Sequence, residues 1–198
     1  LLGIDWQNGF CHQVLHPDVD PAKDDLMSPA IMAKNGEYQQ LVHDGELFVP
    51  NSPKDAENCA KLIREGKPEG MILTFDSHDT IHCSFPTYYD PAPPIFCFIK
   101  ENPDKNAPST ARFQGYYPGE PDKIVWEGTT RKREWADGHA EYLQALVAIG
   151  RFPHCIWPPH CIVGTDSWSL VKPIAQAYTE WEAQTLRKAL KVTKGNNR

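Results

Sequence analysis

Two short stretches hold residues whose types and spacing could do metal chemistry. One is Thr74-Phe75-Asp76-Ser77-His78, the other Trp157-Pro158-Pro159-His160-Cys161. Asp76, His78 and His160 offer a carboxylate and two imidazoles, a three-ligand set for one divalent ion with coordination positions left open. Zinc is favoured for this mixed oxygen and nitrogen set, and iron or manganese accept it too. The competing reading of the spacing alone is three unrelated polar residues in loops. Two more groups of catalytic type stand at comparable places. Asp5 follows the apolar run Leu1-Leu2-Gly3-Ile4, and Lys194 follows Ala189 to Thr193. A carboxylate can take a proton as general base, and a nearby ammonium can stabilise a thiolate or a developing oxyanion. A lone Asp after a strand is more often a turn former or a helix cap.

What must position these groups is a sheet. Leu1–Ile4 reads as a strand buried on both faces, as in a parallel sheet, and Met71–Phe75, His154–Trp157 and Ala189–Thr193 read as further strands. Ligands of an open parallel sheet gather outside the carboxyl ends of its strands, so Asp5, Asp76, His160 and Lys194 are expected at one end of one sheet. Ser52-Pro53-Lys54-Asp55 opens a helix with Ser52 as N-cap and Pro53 at its first position. Ala56, Cys59, Ala60 and Ile63 share one face of it, and Gly66 is a natural stop. Residues 1–76 thus read as a right-handed βαβ unit, with an irregular stretch at 11–50. Asp137 can cap a helix to Ile149, with Ala140, Leu143, Leu146 and Val147 inward. Ser169 can cap another, with Pro173 in its first turn and a buried stripe of Leu170, Ile174, Tyr178 and Trp181. Residues 86–135 break the pattern. Eight prolines fall between Pro86 and Pro121, mixed with aromatics such as Phe96, Phe98, Phe113 and Trp126. This composition predicts an ordered loop packed on the body, placed to serve as a lid.

The 198 residues suit a single domain, 1–198, with 86–135 as an insertion. The net charge of −6 argues against a nucleic-acid or anionic-membrane partner, because no basic block supplies the attraction. No apolar run reaches the roughly 18 residues that would suggest a membrane span. Six cysteines without a CxxC pair read as mostly reduced thiols in a cytoplasmic setting, the alternative being secretion with disulfides.

Taken together, these residues resemble the isochorismatase-like cysteine hydrolases, and among them the nicotinamidases. Leu2-Gly3-Ile4-Asp5-Trp6-Gln7-Asn8-Gly9-Phe10 resembles that family's opening of an apolar strand, Asp, any residue, then Gln-Asn-Asp-Phe. Asp76-Ser77-His78 with His82-Cys83-Ser84-Phe85 is similar to its Asp-Trp-His and His-x-Ser-Phe stretch. Trp157-Pro158-Pro159-His160-Cys161 with Gly164-Thr165 is similar to its Trp-Pro-x-His-Cys and Gly-Thr stretch. Val192-Thr193-Lys194-Gly195 resembles the strand that carries its lysine. Gly9 stands where the family usually has Asp, and Ser77 where it has an aromatic residue.

The resemblance implies a three-layer α/β/α, Rossmann-like fold with a mainly parallel sheet. It implies Asp5 as general base, Lys194 as the second triad member, and Asp76, His78 and His160 as ligands of one divalent metal ion. His82 would assist the metal or support its loop. Phe10 and Trp157 would sandwich a flat heteroaromatic ring, the alternative for both being core packing. The reaction implied converts nicotinamide or a similar small aromatic amide to the acid and ammonia, in a homo-oligomer. The family's nucleophilic cysteine follows the lysine on a later strand-to-helix turn, and none of the six cysteines matches that position. A continuation past Arg198 of on the order of 50–100 residues is therefore expected. Two other readings stand beside this one. The first is another hydrolase of the same family, acting on a ureido or carbamoyl amide or on isochorismate. The second is a non-catalytic metal-binding domain, should the chain end at Arg198.

Overall fold

The computed structural model describes residues 1–11, 47, 49 and 51–195. The irregular stretch 11–50 thus lies outside the described residues, apart from Cys11, Leu47 and Val49. In chain order the elements are β1 (Leu2–Ile4), α1 (Asn8–Cys11), α2 (Ser52–Gly66), β2 (Ile72–Asp76), β3 (Tyr89–Asp90), β4 (Phe98–Glu101), β5 (Phe113–Tyr116), β6 (Ile124–Thr130), α3 (Ala136–Ala148), β7 (His154–Cys155), α4 (Lys172–Thr185) and β8 (Leu190–Lys194). They fall into two compact units: Leu1–Asp79 with Pro159–Arg198, and Thr80–Pro158. Among the described residues, no helix is long and apolar enough to cross a membrane.

The first unit is built on a three-stranded parallel sheet in the order β1-β2-β8. Leu2 pairs with Ile72 and Ile72 with Leu190, while Asp76 pairs with Lys194 at the far end. The helices α2 and α4 pack on one face, where Ala56, Ala60, Ile63, Ile174, Ala177 and Trp181 meet Leu73 and Phe75. Small residues at 56, 60 and 177 let the helices approach closely, and Ile63, Ile174 and Trp181 fill the space that remains. The other face carries Leu2, Ile4, Ile72, Leu190 and Val192, all exposed. The expectation that β1 is buried on both faces is therefore corrected. Only Gly3 is buried in it, because among the described residues both long helices lie on the Leu73 side.

All three helix starts differ from the sequence reading; in α3 Trp135 holds the cap position and Asp137 lies within the first turn. Ser52 is the first residue of α2, not its cap; its hydroxyl donates to the carbonyls of Val49 and Phe10, and Asn51 holds the cap position at φ 67°. Helix α4 begins at Lys172 with Val171 as its cap, beyond Ser169. The delay has a cause. The Asn8 N–H donates to Ser169 O, the Val171 N–H donates to Trp6 O, and Leu170 bridges Gln7, so 169–171 are held extended against 6–8.

The second unit is an antiparallel five-stranded sheet in the order β3-β6-β5-β4-β7, with α3 against it. The protein is thus mixed α/β, and the expected mainly parallel sheet is corrected by these five strands. Residues 86–135 hold four of them where a loop was expected. The period-2 signal was partly present: Phe113 and Gly115 are buried in β5, and Trp126 and Gly128 flank the exposed Glu127 in β6, before Thr129 and Thr130 are both buried. The proline-containing connections between β3, β4, β5 and β6 obscured it. Gly128 is required there, since a side chain would run into the Trp126 indole. In α3 the buried residues are His139, Ala140 and Leu143, whereas Val147 is 77% exposed. The last turn of α3 therefore points Val147 outward, against the expectation.

Strand β7 also departs from expectation. It pairs with β4 in the antiparallel sheet, not with the parallel strands. His160 consequently does not follow a strand of the sheet that carries Asp5, Asp76 and Lys194. It reaches them on a loop.

Candidate functional site

Asp5 ends β1 with its backbone at φ 52°, a left-handed conformation that Asp adopts more readily than most residues. This turns the chain out of the sheet and leaves the Asp5 carboxylate at the strand's carboxyl end. Thr74, on the neighbouring strand β2, fixes it. Thr74 Oγ1 donates to Asp5 Oδ1 at 2.7 Å and accepts from the Asp5 N–H at 3.2 Å. From β8, Lys194 Nζ lies 2.6 Å from Asp5 Oδ2 and 3.6 Å from Asp76 Oδ1. Partial burial alone would lower the lysine's pKa. The hydrogen bond to Asp5 and the charges of Asp76 and Asp5 outweigh it, so the ammonium titrates above its ordinary value.

Asp76 closes β2 and is buried. His78 Nε2 stands 2.9 Å from Asp76 Oδ2, and His160 Nε2 stands 3.3 Å from the same oxygen. Burial alone would raise the Asp76 carboxyl. The hydrogen bonds from His160 and His78, with the charges of His78 and Lys194, overcome that and hold it well below the usual carboxylate range. One ligand atom from each of the three residues lies within 4.8 Å of the others, and all three residues are buried. Ligands at about 2.0–2.1 Å from a shared zinc ion stand roughly 3.4 Å apart in a tetrahedral site. The donor set and its spacing fit one divalent ion. Gly195, at φ 90°, backs the cluster, and a side chain there would collide with the Asp76 carboxylate.

The loop that delivers His160 is tied to the end of β2. The His78 N–H donates to Cys161 O at 3.1 Å, the Val163 N–H donates to His78 O at 3.0 Å, and His78 bridges Ile162 in parallel sense. Cys161 makes the turn, with φ 48°, and its N–H donates to Ser167 Oγ at 2.9 Å. It is buried, and its thiol faces Ser167 O. Phe10, on α1, meets the His160 ring edge-on with centroids 5.4 Å apart.

Six of the residues singled out by sequence (Asp5, Phe10, Asp76, His78, His160 and Lys194) belong to the first unit, as these contacts describe. His82 and Trp157 belong to the second. There, His82 Nδ1 accepts the Ser84 N–H at 3.2 Å, and the Trp157 N–H donates to Ser84 O at 2.8 Å. Trp157 is 37% exposed and meets Phe96 edge-on. Burial pushes the thiols of Cys11 and Cys155 up to about 11 and that of Cys97 up to about 12. Cys59 and Cys83 are raised by burial as well. These five are protonated at neutral pH, which is unsuited to a nucleophile.

Three contributors escaped the sequence reading. Thr74 holds Asp5. The Trp168 indole donates to Ser77 Oγ at 2.9 Å, which ties down the residue between Asp76 and His78. Gln7 is wholly buried, and its side-chain amide bonds the backbone of Asp76 on both sides. Two left a signal: Gln7 stands in the Gln-Asn stretch after Asp5, and Thr74 is a β-branched polar residue two positions before Asp76 on β2.

No family model and no curated protein matches the chain. Two solved structures are similar in fold. One is the yeast nicotinamidase Pnc1p, at 16% identity with a TM-score of 0.47, matched over 99% of this chain and 56% of that one. The other is the same yeast enzyme bound to the inhibitor nicotinaldehyde, at 15% identity with a TM-score of 0.46, over 98% and 56%. The chain therefore spans about half the length of the solved structures it matches.

Proposed function

We propose that this chain carries the base, its lysine partner and the metal site of a cysteine amidohydrolase. Its substrate would be nicotinamide or a similar small aromatic amide, and its products the acid and ammonia. The observation that carries this reading is Lys194, whose ammonium touches Asp5 and lies 3.6 Å from Asp76, so that the proton-transfer pair and the candidate metal cluster share one site.

In this reading Asp5 takes the proton of a cysteine thiol, which the motif resemblance places C-terminal to Lys194. The thiolate attacks the amide carbonyl carbon, and Asp5 returns the proton to the departing ammonia. Water, deprotonated by Asp5, then attacks the thioester carbonyl carbon; the C–S bond breaks to release the acid, and Asp5 returns the proton to the departing cysteine sulfur. Lys194 stabilises the thiolate and the oxyanion, and Thr74 keeps Asp5 oriented. Asp76, His78 and His160 would hold a divalent ion, which supplies an electron-pair acceptor for a heteroaromatic nitrogen. The convergence of these three ligands favours an aromatic amide over substrates of metal-free relatives.

The test is ammonia release by the full-length protein from nicotinamide, from other pyridine carboxamides and from ureido or carbamoyl amides, with Asp5→Asn alongside. Release from pyridine carboxamides, lost in the variant, supports the proposal. Release from the ureido or carbamoyl amides alone, or from none, overturns it.

A further inference from the structure

Strand β1 pairs with β2 in a regular parallel register up to Ile4 and Thr74. On this side of β2 its even-numbered residues bond odd-numbered residues of the first strand. The Ile72 N–H donates to Leu1 O, and the Asp5 N–H donates to Thr74 O. Continued by two residues, the pattern would give the Asp76 N–H to Asp5 O and the residue 7 N–H to Asp76 O. The chain cannot continue it, because the left-handed turn at Asp5 takes the backbone away. Both bonds are nevertheless made, by a side chain. The Asp76 N–H donates to Gln7 Oε1 at 2.7 Å, and Gln7 Nε2 donates to Asp76 O at 2.8 Å. A carboxamide has the donor and acceptor of a peptide group, so it can replace the missing rung. Its second N–H goes to Trp168 O at 2.9 Å, and the whole residue is shut off from solvent.

We infer that Gln7 is the positioning residue of the site: its side-chain amide stands in for the absent β1 peptide and holds the backbone of Asp76, so that the carboxylate meets His78 and His160. The arrangement lets one short segment do two things. Asp5 leaves the sheet to present a free-standing carboxylate, while Asp76, one rung further on, stays in it. Through Trp168, whose indole donates to Ser77, the same amide also anchors the residue between the two ligands Asp76 and His78. Without Gln7, two buried backbone groups of Asp76 lose their partners, and the position of the carboxylate loosens. The inference rests on reading Asp76 as a metal ligand.

The experiment uses the full-length protein and Co(II) as the probe. Gln7→Met keeps the length of the side chain and removes its hydrogen bonds. It is expected to bind Co(II) about 10- to 100-fold more weakly, the usual range for partners that orient metal ligands, with an altered visible absorption spectrum. Ile63→Ala, which loosens the core of the same unit away from the site, should lower the melting temperature and leave Co(II) affinity and spectrum unchanged. His160→Ala separates the two readings. If it binds Co(II) as the wild type does, the metal assignment fails, and backbone hydrogen exchange at Asp76 then decides on Gln7. Exchange accelerated in Gln7→Met at Asp76 but not at Leu73 upholds the positioning role. Wild-type Co(II) affinity in Gln7→Met, where His160→Ala has lost it, overturns the inference, as does unchanged exchange at Asp76. Should Gln7→Met not fold, exchange in the wild type is read instead. An Asp76 amide as slow as those inside β2 supports the inference, and one as fast as an unbonded amide overturns it.

Discussion

Lys194 Nζ sits 2.6 Å from Asp5 Oδ2, and the two residues come from opposite edges of a three-stranded sheet, with β2 between them. The ion pair therefore reaches across the carboxyl end of the central strand, over Thr74 and beside Asp76. Asp5→Asn keeps the shape and the Thr74 contact but removes the base. It is expected to lower turnover of the full-length protein by about 10²-fold or more. Lys194→Met should do likewise with only a small fall in melting temperature, because the lysine side chain is 47% exposed and its ion pair is screened by solvent. Near-normal turnover in the Asn variant would show that Asp5 serves only to turn the chain.

One equivalent of a divalent metal is expected in the purified protein, bound through Asp76, His78 and His160. Elemental analysis of the wild type and of His160→Ala checks this. Metal content well below one equivalent, equal in both, would refute the assignment.

The second unit should be sensitive to acid. His139 is buried on α3, with its Nε2 2.9 Å from Tyr89 Oη and its ring 5.4 Å from that of His154. His154 Nε2 lies 2.8 Å from Cys83 O, and its Nδ1 lies 3.4 Å from Tyr142 Oη. Burial, reinforced by the neighbouring His154, pushes His139 down to about 3; burial lowers His154 as well, against the pull of the Cys83 carbonyl. Both are thus neutral in the folded unit at pH 7, while the unfolded chain takes up protons at these rings from about pH 6.5 downward. The unfolded state then binds more protons, so the stability these rings permit is complete above about pH 6.5 and falls as the pH drops toward 3. Thermal melts from about pH 7.5 to about pH 4.5 should show a fall that is shallower in His139→Gln. An identical slope in the variant would remove His139 from the explanation.

Gly9 stands where the resembling family has Asp, and the structure supplies a reason. A Cβ at this position would lie 2.6 Å from Ser167 Oγ and 2.9 Å from Cys161 Sγ. Gly9→Asp is expected to destabilise by about 1–3 kcal/mol, the usual cost of overpacking, unless Ser167 is also shortened. Gly9→Asp combined with Ser167→Gly should recover part of the loss in denaturant unfolding. No loss in the single variant would mean that α1 has room to move.

The sequence by itself determined what depends on short-range order and residue chemistry. The apolar runs before Asp5, Asp76 and Lys194 are parallel strands of one sheet, as short runs rich in apolar and β-branched residues predict. Helix α2 runs from Ser52 to its stop at Gly66, because its apolar residues recur at helical spacing. The chemistry of Asp76, His78 and His160 was also legible, since only a few residue types can serve a divalent ion. Tertiary structure decided the rest. Strands β4 to β6 are short and separated by prolines, so their alternation acquires meaning only once they pair with one another. His160 arrives on a loop because its preceding strand pairs in the other sheet, and pairing partners are set by contacts distant in sequence. The exposure of Leu2, Ile4, Ile72, Leu190 and Val192 depends on which side of the sheet the helices occupy, and apolar residues on both faces of β1 and β2 do not encode that side. Gln7 is the clearest case. Its type and position were plain to read, but its amide replaces a sheet rung only because the backbone turns at Asp5, and the rung it completes belongs to a residue 69 positions away.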